Sequence, residues 1–189
     1  MQPHGRPVTS SLCVGRFGVD PAAEQAFEEY FRSRRDAVRR SAFLLCGDWH
    51  RADDLAQTAF VALHRKWDSI REPAALDAYV RRTLVRASID ESRRPWRRER
   101  MVSELPEPPA REDGTADGVA TREALVDGLR KLPPRQRAVL VLRYLEGLDV
   151  AATAAALGCR QGTVKSQAAH GLTALRSVLG SALDDLRTA

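Results

Sequence analysis

The residues of this chain best suited to chemistry are arginines and small polar side chains, the types that bind phosphates and bases. Arg82, Arg86 and Arg93 recur at helical spacing, and between Arg86 and Arg100 six arginines stand against three acidic residues. Guanidinium groups match phosphate geometry, and a ring such as Trp96 beside them can stack on a base. The stripe is typical of a phosphate-binding track or of a solvated basic face, and composition alone leaves both open.

A second polar group follows Gly158 in the stretch AATAAALGCRQGTVKSQAAHGL. Because glycine accepts a left-handed turn, this pattern predicts a helix over Asp149–Leu157, a turn over 158–160 and a second helix over Gln161–Leu179. In such a helix-turn-helix the second helix meets base edges and phosphates in the major groove. A helical hairpin without a DNA partner is the alternative. The side chains predicted to make these contacts are Arg160, Gln161, Thr163, Lys165, Ser166, Gln167 and His170.

A third group lies near the start of the helix predicted from RADDLAQTAFVALHRKW. Asp53, Asp54 and Gln57 fall on its polar side, opposite a stripe of small and large apolar residues. Carboxylates in this position are stabilised by the helix dipole, which accounts for them without a partner. Contact with a basic partner surface is the functional alternative.

The elements that must position these groups are all predicted to be helices. Asp20 and Pro21 form a favourable helix start, apolar residues from Phe27 to Leu45 follow on one face, and Gly47 ends the helix. The segments that carry the other groups show the same periodicity. The predicted fold class is therefore all-α, with two small helical domains joined by a flexible linker.

A change of composition separates the two helical modules. The stretch MVSELPEPPAREDGTADGVATRE holds six acidic residues against two arginines, with three prolines and two glycines. It has too few large apolar side chains to bury a core, which is typical of an extended linker. The predicted organisation is an N-terminal tail over 1–20, a first module over 21–98, a linker over 99–120, a second module over 121–182 and a C-terminal tail over 183–189.

Composition and charge argue against several functions. The net charge of +5 and the isoelectric point of about 9.5 favour a polyanionic partner. Cys13, Cys46 and Cys159 are scattered and no histidine lies at a zinc-ligand spacing from them, so we predict no disulfide, metal or cofactor. No nucleophile–histidine pairing or phosphate-binding loop indicates an enzyme. The longest apolar runs fall short of the roughly 20 residues that a membrane span needs, and reduced thiols fit the cytoplasm.

Two helical modules in this order resemble bacterial sigma factors of the extracytoplasmic-function group. RADDLAQTAFVALHRKW resembles the core-binding helix of sigma region two, and AYVRRTLVRASIDESRR resembles its promoter-melting helix. Tyr79 stands at the usual tryptophan, Asp90 at the usual aspartate, and Arg93 with Arg94 at the usual basic pair. LPPRQRAVLVLRYLEGL and GTVKS resemble region four. The resemblance covers about Phe27 to Leu179, and the arginine-rich sequence is similar to actinobacterial members.

This resemblance implies a non-catalytic subunit that directs promoter-specific transcription initiation. Asp53, Asp54 and Gln57 would dock on the β′ clamp helices of core RNA polymerase, and the loop Ile70–Ala75 would hold a base flipped from the minus-ten element of promoter DNA. The linker would thread the polymerase cleft. The second module would read the minus-thirty-five element through the polar group defined above and would meet the β flap. Many members are restrained by an anti-sigma factor, although the sequence does not identify one. The minus-ten contacts implied are Ile70, Arg71, Glu72, Tyr79, Arg82, Arg86, Arg93 and Arg94.

Several positions depart from the family pattern. Arg160 replaces the usual serine cap of the recognition helix, and Gln167 and His170 replace arginines. The first helix of the helix-turn-helix is rich in alanine, with Thr153 where isoleucine is common, and Arg86 replaces an asparagine. Because Gln167 and His170 both remove charge, we expect minus-thirty-five binding that is weaker or differently specified.

A stand-alone helix-turn-helix transcriptional regulator is the alternative function. Such a protein would need a ligand pocket or a dimer face. The first module offers instead an Asp-Asp-x-x-Gln helix and an arginine track.

Overall fold

The computed structural model describes residues 21–70, 72–93 and 116–188, with side chains in the last range described for 122–180. Within these ranges the backbone is helical apart from short turns, which confirms the all-α prediction. A 3-10 turn, Trp67–Ser69, follows the second helix, and a π-helical turn, Val141–Leu145, continues the fifth. The α-helices are α1 (Pro21–Cys46), α2 (Trp49–His64), α3 (Pro73–Ser92), α4 (Ala116–Lys131), α5 (Pro134–Leu140), α6 (Val150–Leu157) and α7 (Gln161–Thr188).

The first module is formed by α1, α2 and α3, which pack against one another. Gly47 ends α1 with a positive φ of 73°, a conformation that glycine adopts without steric cost. Asp48 then caps α2, its Oδ1 accepting a hydrogen bond from the Arg51 backbone N–H at 2.9 Å. Pro73 stands in the first turn of α3, where its missing N–H costs nothing. These local signals set where α1 ends and where α2 and α3 begin.

The second module is formed by α4 to α7. Its helix-turn-helix has a small core of its own between α5, α6 and α7, made of Val139, Ala154, Val164 and Ala168. Within this core the small side chain of Ala154 in α6 allows a close approach to Val164 in α7. The longer helix α7 also packs against α4 and α5.

The two modules share one continuous hydrophobic core. Buried residues of α1 and α3 belong to the same cluster as buried residues of α4, α5 and the π-helical turn. Arg137 of α5 is itself only 9% exposed, and its Nη1 donates a hydrogen bond to the Leu45 carbonyl at the end of α1 over 2.7 Å. The second module therefore ties directly into the first.

Some predicted domain boundaries lie inside helices of the structure, and others lie outside the described residues. Helix α4 begins at Ala116, inside the predicted linker 99–120, and α7 runs to Thr188 through the predicted C-terminal tail 183–189. The domain limits stay a prediction. None of the described helices combines the length and apolar character that a bilayer crossing requires. The predicted features that lie outside the described residues are the tail 1–20, Arg71, Arg94, Trp96 and most of the linker.

Candidate nucleic-acid and protein interfaces

The predicted turn between the helices of the helix-turn-helix adopts a Schellman geometry. Gly158 has a φ of 62° and a ψ of 42°, its N–H donates to the Ala155 carbonyl at 3.4 Å, and the Cys159 N–H donates to the Ala154 carbonyl at 3.0 Å. Asp149 caps the preceding helix α6 through the Ala152 N–H at 2.7 Å. The turn starts α7 at Gln161, so that Val164 and Ala168 enter the small core and the polar side chains between them lie on the outer side of the helix.

Most of the polar group on α7 faces solvent. Thr163 and Gln167 are half-buried, and the Ser166 hydroxyl donates to the Thr163 carbonyl over 3.1 Å. These side chains together form a polar, partly cationic face that matches the donor and acceptor chemistry of a major groove. The exposed members are Arg160, Gln161, Lys165, Ser166 and His170.

The arginine track lies along α3 on the side that looks toward the second module. Arg82, Arg86 and Arg93 are all exposed, and Arg86 lies 4.0 Å from Asp90 one turn later. They line a cleft of about 350 Å³ whose opposite wall includes Arg135 of α5 and Gly158. Among the described residues that line it, the cleft gathers four guanidinium groups around one carboxylate, Asp90.

The other described residues that were predicted to contact the minus-ten element lie in the first half of α3 and just before it. Ile70 and Tyr79 are half-buried, and Glu72 is exposed. The Arg82 guanidinium carbon lies 5.5 Å from the centroid of the Tyr79 ring, a cation–π distance. Ile70, Tyr79 and Arg82 face Ala152 of α6 across a cleft of about 490 Å³.

The acidic group on α2 is exposed, but its members differ in their hydrogen-bond partners. Both carboxylate oxygens of Asp53 accept hydrogen bonds from Arg39, from Nε and from Nη2, the second at 3.1 Å. This pairing holds the pKa of the Asp53 carboxyl below its usual value. Arg39 also lies 4.5 Å from the centroid of the Trp49 ring, which fixes its position. Asp54 and Gln57 are exposed on the same helix.

An apolar cleft adjoins this acidic group. It has a volume of about 850 Å³ between α1 and α2 and is lined by Phe31, Phe60 and Val61 together with Asp53 and Gln57. Val61 on the edge of this cleft is 45% exposed. A rim of polar groups around an apolar floor is typical of a protein-docking surface.

Sequence reasoning missed three charged contacts. Tyr30 donates to Asp77 at 2.9 Å, and burial together with this bond raises the pKa of the Tyr30 hydroxyl. Arg81 donates from Nε to Glu146 at 2.7 Å, across the two modules. Arg137 is the third. A signal for Arg137 existed, because it stands three residues before Leu140 and four before Val141, both buried, on the face that packs inward.

Arg137 is the most deeply buried of these charges. In addition to the Nη1 bond to Leu45, its Nη2 donates hydrogen bonds to the carbonyls of Arg130 at 2.9 Å and Leu132 at 3.1 Å. Burial lowers the pKa of its guanidinium to about 10, so the group stays protonated at neutral pH. It supplies donors to carbonyls that the ends of α1 and α4 leave without helical partners.

The described residues include no group of three or more histidine, cysteine, aspartate or glutamate side chains that could hold a metal ion. Cys46 is buried, and burial raises the pKa of its thiol, which keeps it protonated and unreactive. The chemistry that these surfaces support is binding of nucleic acid and of protein.

Comparisons with known proteins match both modules of the chain. Residues 30–98 match the family Sigma-70 region 2, and residues 122–175 match Sigma-70, region 4. The chain is 42% identical over 158 residues to the RNA polymerase sigma-E factor of Streptomyces avermitilis, covering 82% of this chain and 86% of that protein. It is 36% identical over 155 residues to the ECF RNA polymerase sigma factor SigM of Mycobacterium tuberculosis, covering 82% and 78%.

A solved structure shows the same fold. The chain superposes on the sigma factor RpoE of Bartonella quintana, crystallised with the anti-sigma factor NepR, with a TM-score of 0.66 at 23% identity. The match covers 82% of this chain and 98% of that one.

Proposed function

This chain belongs to the extracytoplasmic-function sigma factors, and from that membership we propose how its two modules divide the work of transcription initiation. As a member it binds core RNA polymerase, directs transcription initiation and catalyses no reaction itself. The proposal assigns three tasks to three surfaces: α2 docks on the polymerase, α3 holds a melted strand, and α7 reads duplex upstream.

The docking surface is proposed to be the polar side of α2 with the apolar cleft beside it. Asp54 and Gln57 are exposed there, and the Arg39-held carboxylate of Asp53 extends the same face. A clamp helix of the polymerase β′ subunit that carries basic residues would be attracted to these carboxylates, and an apolar side chain would fill the cleft beside Val61.

The melting surface is proposed to be the arginine track with the start of α3. Unpairing and flipping a base costs a few kcal/mol, and cationic side chains along the strand together with an aromatic ring offset that cost. Arg82 and Tyr79 lie within cation–π distance of each other, so the ring and one phosphate-binding group are already side by side. The single observation that carries the proposal is this exposed basic track on a module that matches Sigma-70 region 2.

The upstream surface is proposed to be the exposed half of α7, which would read the minus-thirty-five element while the rest of the second module meets the β flap. The Schellman turn at Gly158 supports this assignment, since it presents the N-terminal residues of α7. A stand-alone regulator is not favoured, because residues 30–98 match Sigma-70 region 2. An anti-sigma partner stays a prediction from family resemblance.

Reconstituted transcription tests the proposal. Purified protein added to sigma-free core polymerase should start RNA synthesis at discrete positions on genomic fragments, and the mapped starts should share two spaced upstream elements. Initiation that lacks any shared upstream element would contradict the division of tasks, and complete inactivity on all fragments would contradict promoter-directed initiation.

A further inference from the structure

One side chain of the first module, Tyr30 of α1, contacts the chain on both sides of the minus-ten loop. This loop is residues 70–75, of which 71 lies outside the described residues, and it leads from the 3-10 turn into α3. Before the loop, the Tyr30 ring lies 5.7 Å from the Trp67 ring, centroid to centroid. After the loop, the Tyr30 hydroxyl donates a hydrogen bond to Asp77 Oδ1 at 2.9 Å. Tyr30 therefore joins the two ends of the segment that would hold a flipped base.

The start of α3 lacks a side-chain cap of its own. Glu72, which precedes the helix, is extended, with a φ of −85° and a ψ of 124°, and makes no side-chain capping hydrogen bond. Pro73 favours a helix start at this position but anchors it to nothing else in the module. Where this end of α3 lies therefore depends on contacts with other elements.

Asp77 provides such a contact, because two donors of α1 hold its carboxylate. Arg34 Nη2 donates to Asp77 Oδ2 at 2.8 Å, while the Tyr30 hydroxyl donates to Oδ1. Tyr30 and Arg34 are four residues apart, so they project from the same face of α1. Hydrogen bonds to an ionised carboxylate are roughly twice as strong as neutral ones. Burial and the bond to Asp77 raise the pKa of the Tyr30 hydroxyl, so it remains a donor at neutral pH.

The 3-10 turn that enters the loop is held by the same helix. The Trp67 ring packs edge-on against Phe27 of α1 with the ring centroids 5.1 Å apart. Phe27 also packs edge-on against His64 at the end of α2, at 4.7 Å. Because aromatic pairs at these distances favour particular orientations, the turn has a preferred position relative to α1.

The contact with Asp77 also sets the rotation of α3 about its axis. Asp77 and Tyr79 are two residues apart, which separates them by about 200° around a helix. Asp77 therefore faces α1, whereas Tyr79 lines the cleft that also contains Lys66 and Ile70. If α3 rotated, the Tyr79 ring would move relative to the loop, and binding groups must be held to within about 0.5 Å of their working positions.

We propose that Tyr30 and Asp77 are positioning residues for base recognition: by joining both ends of the minus-ten loop to α1, they hold the loop and Tyr79 in the arrangement that reads the flipped base. This rests on the proposed function of the start of α3. The effect passes through the loop and requires no contact of either side chain with DNA. It concerns discrimination between bases, and it leaves the docking surface of α2 and the recognition face of α7 unchanged.

The test uses holoenzyme, reconstituted from the full chain and core polymerase, on a promoter found by start mapping. Its readout is a discrimination ratio, the affinity for the native promoter fragment divided by the affinity for fragments with single-base substitutions in the minus-ten element. Tyr30→Phe removes only the hydroxyl and keeps the ring beside Trp67. We expect the largest ratio to fall by about fivefold or more, the discrimination that one well-placed base contact supplies. Binding to upstream duplex should be unchanged.

Asp77→Ala removes the acceptor that Tyr30 and Arg34 share, so it should lower the ratio by at least as much. The double variant Tyr30→Phe/Asp77→Ala should lose no more than Asp77→Ala alone, since both changes break the same contact. Circular dichroism verifies that each variant folds. A purely structural role would weaken binding to native and substituted fragments alike, and would leave the ratio unchanged.

Tyr144→Phe is the matched control, because it removes the same group from an exposed tyrosine of the second module and should keep the wild-type ratio. An unchanged ratio in both Tyr30→Phe and Asp77→Ala would overturn the proposal, as would an equal fall in Tyr144→Phe or additive losses in the double variant. If wild-type holoenzyme discriminates at the minus-ten element and both variants discriminate equally well, positioning alone is refuted. A wild type without any discrimination would instead refute the proposed function of this surface.

Discussion

Two neighbouring carboxylates on α2 differ in what they already bind. Asp53 is held on both oxygens by Arg39, whereas the described residues provide no ion pair for the exposed carboxylate of Asp54. An incoming cation must compete with Arg39 for Asp53 but finds Asp54 open. Asp54 is therefore the residue at which a charge change should affect docking most.

We expect Asp54→Arg to abolish stable association with core polymerase, because it places a cation where a basic partner surface would dock. Co-elution with core enzyme in size-exclusion chromatography measures this, with circular dichroism to verify the helical content. Glu24→Arg, the same charge change at an exposed position in the first turn of α1, should co-elute normally. Normal co-elution of the Asp54 variant would remove this residue from the docking surface.

On α7, Lys165→Ala should weaken duplex binding and lower the slope of log affinity against log salt concentration by about one, since one phosphate contact is lost. Fluorescence anisotropy over a salt series on upstream promoter duplex gives the slope. Lys131→Ala, an exposed lysine in the last turn of α4, is the control and should leave the slope unchanged. An unaltered slope for Lys165→Ala would show that its ammonium group contacts no phosphate.

At the scale of elements, the helix-turn-helix depends on one backbone conformation. Gly158 has a positive φ with open space around its Cα, so Gly158→Ala should cost only backbone strain, about 1 kcal/mol, and lower the melting temperature by about 3 °C. Gly162→Ala, in α7 with equally open surroundings, should be neutral or slightly stabilising. Thermal unfolding followed by circular dichroism compares the two, and an equal effect of both substitutions would argue against the left-handed turn.

The ends of α1 and α4 depend on a single side chain. Arg137→Met removes the donor to three carbonyls, so we expect a loss of about 3 kcal/mol in the free energy of unfolding. Arg135→Met, two residues earlier and exposed, should change it by less than about 0.5 kcal/mol. Chemical denaturation measures both, and a similar stability of the two variants would contradict the capping role.

Elements that depend on local signals were predictable from the sequence. The helix-turn-helix and its glycine turn follow from periodicity and from the conformational freedom of one residue. Val85 was not predicted to be buried, because α3 carries apolar residues on two faces and the second face is covered only by the other module. Helical periodicity indicates that Arg137 lies on the inward face of α5, but its bond to the Leu45 carbonyl joins positions 92 residues apart, and no local pattern encodes that partner.

At the scale of the whole molecule, the chain places opposite demands on α3. Packing against the second module buries apolar surface in a shared core, while the proposed function requires the same side of α3 to hold DNA. The division of tasks between the modules is the central claim, and the assignment of strand binding to α3 is the part that an experiment can contradict most directly.

Permanganate reactivity of unpaired thymines, measured on a promoter found by start mapping, tests that claim most directly. Wild-type holoenzyme should expose thymines in the minus-ten region. The triple variant Arg82→Ala/Arg86→Ala/Arg93→Ala should still associate with core polymerase and bind upstream duplex, yet leave those thymines unreactive, because the strand-holding cations are gone. Wild-type reactivity in the triple variant would contradict the account.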